Sequence, residues 1–237
     1  MQYENIVFLT GSGISADSGL DTFRDEGGIW TRYAIEDVAT PDAFVRNPDL
    51  VHDFYNMRRE QALKARPNGA HEALARLEAD YPGTVWIITQ NVDNLHEKAG
   101  SRNLIHMHGE LAKLRCTGCG AVHEWLEEAS RETVCPACSG TGILRPHIVW
   151  FGEVPMALDR IERLLVACDL FVSIGTSGNV YPAAGFVDMV RGLGRARRVE
   201  LNLEPSLGQS LFDEGIYGRA GDIVPEFVSR LMVDAAY

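Results

Sequence analysis

Short apolar runs that alternate with helix-like segments constrain the fold of this 237-residue chain more than any other feature. Four runs have the length and composition of buried strands, at residues 6–10, 85–89, 170–175 and 199–203. Helix-like segments at residues 70–81, 159–168 and 184–193 lie between them. Because the runs are continuously apolar, both faces of each strand should be covered, as in a parallel sheet. The sequence therefore predicts an α/β fold with a Rossmann-like, doubly wound parallel sheet.

Two regions interrupt this alternation and predict a smaller domain beside the sheet. Residues 34–68 are helix-like and poor in strand signals, and residues 111–144 contain four of the five cysteines. We expect one catalytic domain over 1–237, in which 1–33, 69–110 and 145–237 form the Rossmann-like part. The segment 34–68 is then a helical insertion, and 111–144 is a zinc-binding insertion.

The composition argues against nucleic acid and membranes as partners. The net charge of −11 repels phosphates, and the chain contains no long Lys/Arg block. No apolar run approaches the roughly 18 to 20 residues of a membrane span. The first residues enter a strand-like run without the pattern of a signal peptide. We expect a cytoplasmic, monomeric protein that binds neither membranes nor nucleic acid.

Polar residues follow each predicted strand, which predicts a ligand site. The segments GSGISADSG, QNVDN, TSGN and Glu204 come directly after the four apolar runs. In open α/β sheets the ligand crevice lies beyond the carboxyl ends of the strands. These four polar ends should therefore converge on one crevice.

The first of these segments matches a dinucleotide-binding loop. Residues 11–16, GSGISA, fit the pattern G-x-G-x-x-[G/A] after a strand, where glycines allow a tight turn and a close approach to pyrophosphate. An ordinary glycine turn is the alternative. The acidic residue that usually follows a second strand is not in place, since Asp25 and Glu26 come too early. This departure argues against a simple hydride-transfer enzyme, and residues 202–204 are better candidates for contacts to a ribose.

The cysteine spacing predicts a structural zinc site. Cys116 and Cys119 form one C-x2-C pair, Cys135 and Cys138 form the other, and 15 residues separate the pairs. Four thiolates leave no open position for a catalytic water, so zinc should hold the insertion together. Cys168 ends an apolar helix and is interpreted as a buried small hydrophobe.

A Tyr-x-x-Arg pair could bind an anion. Tyr55 and Arg58 share one face if their segment is helical, and a phenol beside a guanidinium can bind a carboxylate. A solvated helix face is the alternative interpretation.

The chain resembles the sirtuins, which are NAD-dependent protein lysine deacylases. The matching stretches are GSGISADSGLDTFR, TQNVDNLHEKAG, HMHGE, the cysteine pairs, VWFGE, GTSGNVYPAAGF and LNLEP, in family order from residue 11 to residue 205. It is most similar to short bacterial members of the class that carries the Tyr-x-x-Arg pair, class III. It departs from the family at Ser12, where the usual loop is Gly-Ala-Gly.

The resemblance implies a reaction in which an acyl-lysine oxygen attacks the nicotinamide ribose of NAD and the acyl group is passed to ADP-ribose. Nicotinamide, O-acyl-ADP-ribose and free lysine are the products. It implies that His108 is the general base and that Asn91 also acts in catalysis, which suits a reaction that needs a base titrating near neutrality. His106 is expected to face away from the site. We expect His52, His71, His96, His123 and His147 to pack, cap or lie at the surface.

The resemblance also implies the binding residues. For NAD they are Gly11, Ser12, Gly13, Ile14, Ala16, Asp17, Thr22, Phe23, Arg24, Trp30, Gln90, Asn91, Asp93, Gly175, Thr176, Ser177, Asn202, Leu203, Glu204 and Ala220. For the acyl-lysine substrate they are Tyr55, Arg58, Val149, Phe151, Gly152, Glu153, Gly178 and Asn179, where the last four should pair with the substrate backbone as an added strand.

Two other functions compete with this one. The first is protein mono-ADP-ribosylation on the same scaffold with NAD, and the second is a zinc-ribbon binding module without chemistry. The acidic composition and the polar strand ends argue against the binding module. The resemblance therefore implies an NAD-dependent lysine deacylase that removes succinyl, malonyl and acetyl groups from proteins, with protein mono-ADP-ribosylation as the alternative.

Overall fold

The computed structural model describes residues 2–22 and 32–235. The expectations for Phe23, Arg24 and Trp30 fall outside these ranges. Helices and strands are numbered below in chain order within the described part of the chain.

The main sheet has six parallel strands in the order β3-β2-β1-β7-β8-β9. Its strands are β1 Asn5–Thr10, β2 Thr84–Thr89, β3 Leu104–His106, β7 Leu170–Ile174, β8 Arg197–Asn202 and β9 Glu214–Tyr217. The strand order reverses between β1 and β7, so the carboxyl ends of these two strands flank a topological switch point. The four predicted strands are confirmed as β1, β2, β7 and β8, and the predicted fold class is confirmed with them.

Helices cover both faces of this sheet, which explains why the strands are continuously apolar. In β1, Ile6 and Phe8 pack in one core cluster, while Val7 and Leu9 pack in another on the opposite face. The helices are α1 Ile35–Val38, α2 Pro41–Arg46, α3 Pro48–Lys64, α4 Gly69–Asp80, α5 Leu95–Ala99, α6 Leu158–Ala167, α7 Phe186–Leu193 and α8 Ala220–Ala235. Residues of α4 and α8 belong to the first cluster, and residues of α6 and α7 to the second.

The smaller domain combines helices with a second sheet. Its three antiparallel strands, in the order β5-β4-β6, are β4 Gly109–Cys116, β5 Val122–Glu124 and β6 Leu144–Ile148. Helices α1 to α3 pack against β4, β6 and Trp150 through a core cluster of their own. A further cluster lies beneath the cysteines. The exact domain boundaries stay predictions.

Helix α3 presents the Tyr-x-x-Arg pair to the cleft between the two parts. Asn47 caps it by accepting a hydrogen bond from the Leu50 N–H at 3.2 Å, and Pro48 occupies the first helical position. Among the described residues, no helix combines the length and apolarity that a membrane crossing requires.

Candidate active site

A cavity of about 1110 Å³ runs along the carboxyl edge of the main sheet and under the smaller domain. This volume is slightly above the range of roughly 300 to 1,000 Å³ that is typical of small-molecule sites. Most of the predicted binding residues that the structure describes line it, and the exceptions are Ile14, which is buried in the core, and Gly178. The polar strand ends therefore converge as expected, at the topological switch point.

Glycines bring the β1 and β7 ends together at the floor of the cavity. The Gly11 and Gly13 N–H groups donate to the carbonyls of Ile174 and Gly175, each at 2.9 Å. A Cβ on Gly11 or Gly13 would lie 2.7 Å from Gly175 backbone atoms, and Gly175 itself has a φ of +60°. Larger residues would force the two loops apart, so these glycines are required for the shape of the cavity.

The loop after β2 is locked onto the glycine loop by buried side chains. Asn91 Nδ2 donates to the Gly11 carbonyl at 3.1 Å and to Ser15 Oγ at 3.0 Å. The Asp93 carboxylate accepts hydrogen bonds from Ser15 Oγ at 3.1 Å and from the Leu95 N–H at 3.0 Å. Burial raises the pKa of Asp93, and these two hydrogen bonds oppose the rise. Asn91 and Asp93 are thus fixed in position where they line the cavity.

His108 presents a neutral imidazole to the cavity. Its Nδ1–H donates to the Gln90 carbonyl at 3.1 Å, which leaves the Nε2 lone pair as the basic atom. Burial lowers the pKa of His108, and the hydrogen bond to Gln90 opposes this. A neutral histidine with its other nitrogen anchored has the tautomer that a general base needs.

His106 makes a different set of contacts and is not among the described residues that line the cavity. Its Nδ1 lies 3.2 Å from the Asn91 carbonyl, and its Nε2 lies 2.7 Å from Glu97 Oε1. Burial opposes the charged form, but the hydrogen bond and charge of Glu97 outweigh it and raise the pKa of His106. His106 therefore ties helix α5 to the backbone of the loop that carries Asn91.

Polar groups at the ends of β7 and β8, together with Asp17 and Arg219, line one end of the cavity. Asn202 Nδ2 donates to the Thr176 carbonyl at 2.8 Å, and Thr176 Oγ1 lies 2.9 Å from Ser173 Oγ. The Asp17 carboxylate accepts from Arg219 Nη2 at 2.6 Å, and Arg219 lowers the pKa of Asp17. Ala16, Thr22, Ser177, Leu203, Glu204 and Ala220 complete the lining here.

The opposite end of the cavity contains Tyr55 and Arg58. Tyr55 is 1% exposed, and its hydroxyl accepts a hydrogen bond from Trp150 Nε1 at 3.0 Å. Arg58 is half-buried and lines the cavity with it, whereas Arg59 turns away and donates to the Leu111 carbonyl at 2.7 Å. Burial lowers the pKa of Arg58, and electrostatic interactions with Tyr55, Asp93 and Asp21 oppose this. Of these two consecutive arginines, Arg59 therefore links α3 to β4 within the smaller domain, and Arg58 faces the cavity.

The backbone between β6 and α6 forms the rim of the cavity. The Val149 N–H donates to the His108 carbonyl at 2.9 Å, and the Phe151 N–H donates to the Ala39 carbonyl at 3.0 Å. The Glu153 N–H donates to the Trp150 carbonyl at 2.9 Å, and the Glu153 carboxylate binds Arg145. The rim residues Val149, Phe151, Gly152 and Glu153 all line the cavity, and Asn179, which follows β7, lines it as well.

The sequence did not single out several other residues that line the cavity. They include Gln61, Val92, Leu111, Trp150 and Arg219. A signal was available for Trp150, because it lies inside the VWFGE stretch on which the resemblance partly rests. The same holds for Val92, which lies inside TQNVDNLHEKAG, whereas Gln61, Leu111 and Arg219 lie outside the matching stretches and reach the cavity through the fold.

The four cysteine sulfurs form a cluster that fits zinc. They all lie within 4.8 Å of one another, with 3.8 Å between Cys116 and Cys138 and 3.9 Å between Cys119 and Cys135. Tetrahedral Zn–S bonds of about 2.3 Å place sulfurs about 3.8 Å apart. None of the four is among the described residues that line the cavity. The predicted zinc would therefore be structural, bound by Cys116, Cys119, Cys135 and Cys138.

Comparisons with known proteins agree with this geometry. The Sir2 family model matches residues 11–182. The chain is 56% identical over 230 residues to the NAD-dependent protein deacylase of Caulobacter vibrioides, covering 96% of each chain. It is 51% identical over 234 residues to the NAD-dependent protein deacylase of Salmonella typhimurium, covering 98% of this chain and 85% of the relative.

Solved structures match over nearly the whole fold. A complex of a Sir2 homologue with NAD superposes with a TM-score of 0.90 at 38% identity, covering 98% of this chain and 91% of the other. A Sir2 variant with a deacetylated p53 peptide and 3′-O-acetyl ADP-ribose superposes with a TM-score of 0.81 at 31% identity, covering 98% and 94%.

Proposed function

Because the chain belongs to the Sir2 family and is an NAD-dependent protein deacylase, we propose that it removes succinyl and malonyl groups, as well as acetyl groups, from lysine side chains. The observation that carries the acidic acyl preference is Arg58, which lines the same cavity as Tyr55 and His108. An acetyl group has no charge for a guanidinium to pair with. Succinyl and malonyl groups end in a carboxylate, which is costly to bury unpaired.

The chemistry of a guanidinium and a phenol suits this carboxylate. Arg58 can donate two parallel hydrogen bonds to it, and the Tyr55 hydroxyl can donate a third. Burial raises the pKa of Tyr55, so the phenol keeps its proton and remains a donor at neutral pH. The cation also offsets the field of a chain with a net charge of −11, which otherwise repels an anionic acyl group.

NAD, when bound, supplies the ribose that accepts the acyl group and the bond to nicotinamide that breaks. The glycine loop and the polar ends of β7 and β8 would hold this co-substrate, because only the glycines allow the close loop contact that shapes the cavity. His108 Nε2 would accept a proton from a ribose hydroxyl, since Nδ1 is anchored on Gln90. Asn91 would orient the reacting groups, since its amide is fixed on the glycine loop.

The binding of protein substrates follows from the rim of the cavity. Gly152 and Asn179 both line it, so an extended peptide could lie between them as an added strand. The individual roles of the binding residues stay predictions. A cytoplasmic location, a monomeric state and the absence of nucleic-acid binding stay predictions as well.

One peptide sequence that bears acetyl, malonyl, succinyl or a long-chain acyl group on the same lysine tests this proposal. We expect NAD-dependent release of free lysine from all three short acyl forms, with O-succinyl-ADP-ribose and nicotinamide formed in equal amounts from the succinyl peptide. Failure to process the succinyl and malonyl peptides would refute the acidic preference. ADP-ribose attached to protein, in place of O-acyl-ADP-ribose, would identify the competing transferase activity.

A further inference from the structure

Trp150 contacts the Tyr55 hydroxyl directly, across 95 residues of sequence. Its Nε1–H donates to the Tyr55 oxygen at 3.0 Å, and both side chains are almost fully buried, at 2% and 1% exposure. An indole N–H is a donor and never an acceptor. The phenol oxygen must therefore accept, and the hydrogen that Tyr55 itself carries points away from the indole.

The indole is itself held rigidly from the other side. The Arg145 guanidinium carbon lies 3.3 Å from the centroid of the Trp150 ring. Arg145 also pairs with both oxygens of Glu153, at 2.7 and 2.9 Å. Glu153 in turn accepts from the Trp150 backbone N–H at 2.8 Å. These contacts thus fix the position and orientation of the Trp150 ring. A donor in a fixed position sets the rotation of the hydroxyl that accepts its hydrogen bond.

The Tyr55 hydroxyl and the Arg58 guanidinium are the two groups proposed to bind the acyl carboxylate, and together they form the acyl-carboxylate reader. Tyr55 and Arg58 stand one turn apart on α3, and both line the cavity. Trp150 lines it too, but an indole that spends its N–H on Tyr55 has no donor left for the substrate. Any hydrogen-bonding effect of Trp150 on the choice of acyl group must then pass through Tyr55.

We propose that Trp150 is a specificity-determining positioning residue, which turns the Tyr55 hydroxyl hydrogen toward the carboxylate of succinyl- and malonyl-lysine. This inference rests on the proposed function. It adds that acyl selectivity depends on a relay from Trp150 through Tyr55 and not on Arg58 alone. In this relay the Arg145–Glu153 ion pair keeps the Trp150 indole in the position from which it donates to Tyr55.

A double-mutant cycle on one peptide tests the relay. Trp150→Phe, Tyr55→Phe and the double variant are assayed for kcat and KM on the succinyl and acetyl forms. We expect Trp150→Phe to lower succinyl efficiency by about 3- to 10-fold, mainly through KM, because it removes the orientation of a hydrogen bond to a charged group and not the bond itself. The acetyl efficiency should fall by a smaller factor. In the Tyr55→Phe background, Trp150→Phe should change the succinyl-to-acetyl ratio no further.

Two outcomes of the double-mutant cycle would overturn the relay. One is an equal loss on both peptides, and the other is a double variant whose ratio equals the product of the single effects. Phe44→Leu is the packing control, because Phe44 contacts the same indole with centroids 5.4 Å apart and takes no part in the hydrogen bond. We expect that control to leave the ratio unchanged, and a shift equal to that of Trp150→Phe would also refute the relay.

The experiment separates this inference from the function on which it rests. If Tyr55→Phe and Arg58→Met both leave the ratio unchanged, the acyl-carboxylate reader itself is refuted. If they change it and Trp150→Phe does not, only the relay is refuted. Should Trp150→Phe fail to fold, replacing the Trp150 indole by benzothiophene deletes the N–H and keeps the ring shape, and the same ratio decides the question.

Discussion

Acid should destabilise this protein through a buried histidine pair beneath the active site. His71 on α4 and His96 on α5 are 0% and 1% exposed, with ring centroids 4.9 Å apart. Burial lowers the pKa of His71 to about 4 and lowers that of His96 well below its usual value. Neither ring can be charged at low cost in the folded state, whereas both are free to protonate in the unfolded chain.

The sign and size of the effect follow from linkage. Between pH 6.5 and about pH 4 the unfolded state binds a proton at His71 that the folded state does not, so the free energy of unfolding falls as the pH falls. A depression from 6.5 to about 4 corresponds to about 3 kcal/mol over the whole window. About 2 kcal/mol of this should be lost between pH 7 and pH 5. His96 contributes in the same direction.

His71→Gln isolates this contribution. The Asn68 backbone N–H donates to His71 Nδ1 at 3.4 Å in a capping box, and glutamine is a usual residue at that position. Urea unfolding at pH 7 and pH 5 gives the difference in unfolding free energy for each protein. We expect the wild-type difference to exceed that of His71→Gln by about 2 kcal/mol, and protonation of the zinc thiolates cancels in this comparison.

Glu72→Gln, at an exposed position on the same helix, is the control and should retain the wild-type difference. If His71→Gln lost as much stability on acidification as the wild type, the buried pair would not be the source of the acid sensitivity.

Three further predictions concern the zinc site, the general base and the loop that carries Asn91. Cys116→Ser should abolish zinc binding, as measured by metal analysis, and should cause aggregation and loss of activity. Cys168→Ser is the control and should retain zinc. A metal-free, well-folded Cys116→Ser enzyme with full activity would contradict a structural role for zinc. His108→Ala should abolish deacylation while NAD still binds in calorimetry, and residual turnover above a few per cent would assign the base elsewhere. Glu97→Gln should lower the pKa of His106 in an NMR titration, because the Glu97 contact raises it. Since that pKa is raised in the folded state, the contribution of His106 to stability is full below about pH 6.5 and is lost as the pH rises through the folded pKa. An unchanged His106 pKa in Glu97→Gln would refute this.

Local patterns were sufficient to predict the centre of the sheet, the position of the ligand site and the zinc-binding cysteines, whereas most individual binding residues were implied by the resemblance and stay predictions. Central parallel strands are covered on both faces, so β1, β2, β7 and β8 appear as apolar runs in the sequence. Their polar ends had to meet, because parallel strands end at one edge of the sheet. The thiolate spacing likewise encodes a chelate in a short segment.

Edge elements and contacts distant in sequence could not be predicted in this way. Strand β9, Glu214–Tyr217, is an edge strand whose residues alternate between half-buried and exposed positions, so no apolar run marks it. Helix α8 contains Pro225 within its first two turns, which weakens its helical signal. The contact between Trp150 and Tyr55 joins residues that only the packing of the smaller domain brings together.

The succinyl-to-acetyl efficiency ratio of Arg58→Met is the most direct test of whether Arg58 binds the carboxylate of an acidic acyl group. Hydrogen bonds to a charged group contribute roughly 1.5 to 3 kcal/mol each, so removing the guanidinium should lower desuccinylation efficiency by about 10- to 100-fold or more. Methionine keeps much of the apolar stem, and deacetylation of the same peptide should fall much less. We expect the ratio to collapse, whereas an equal loss on both peptides would show that Arg58 does not bind the acyl carboxylate.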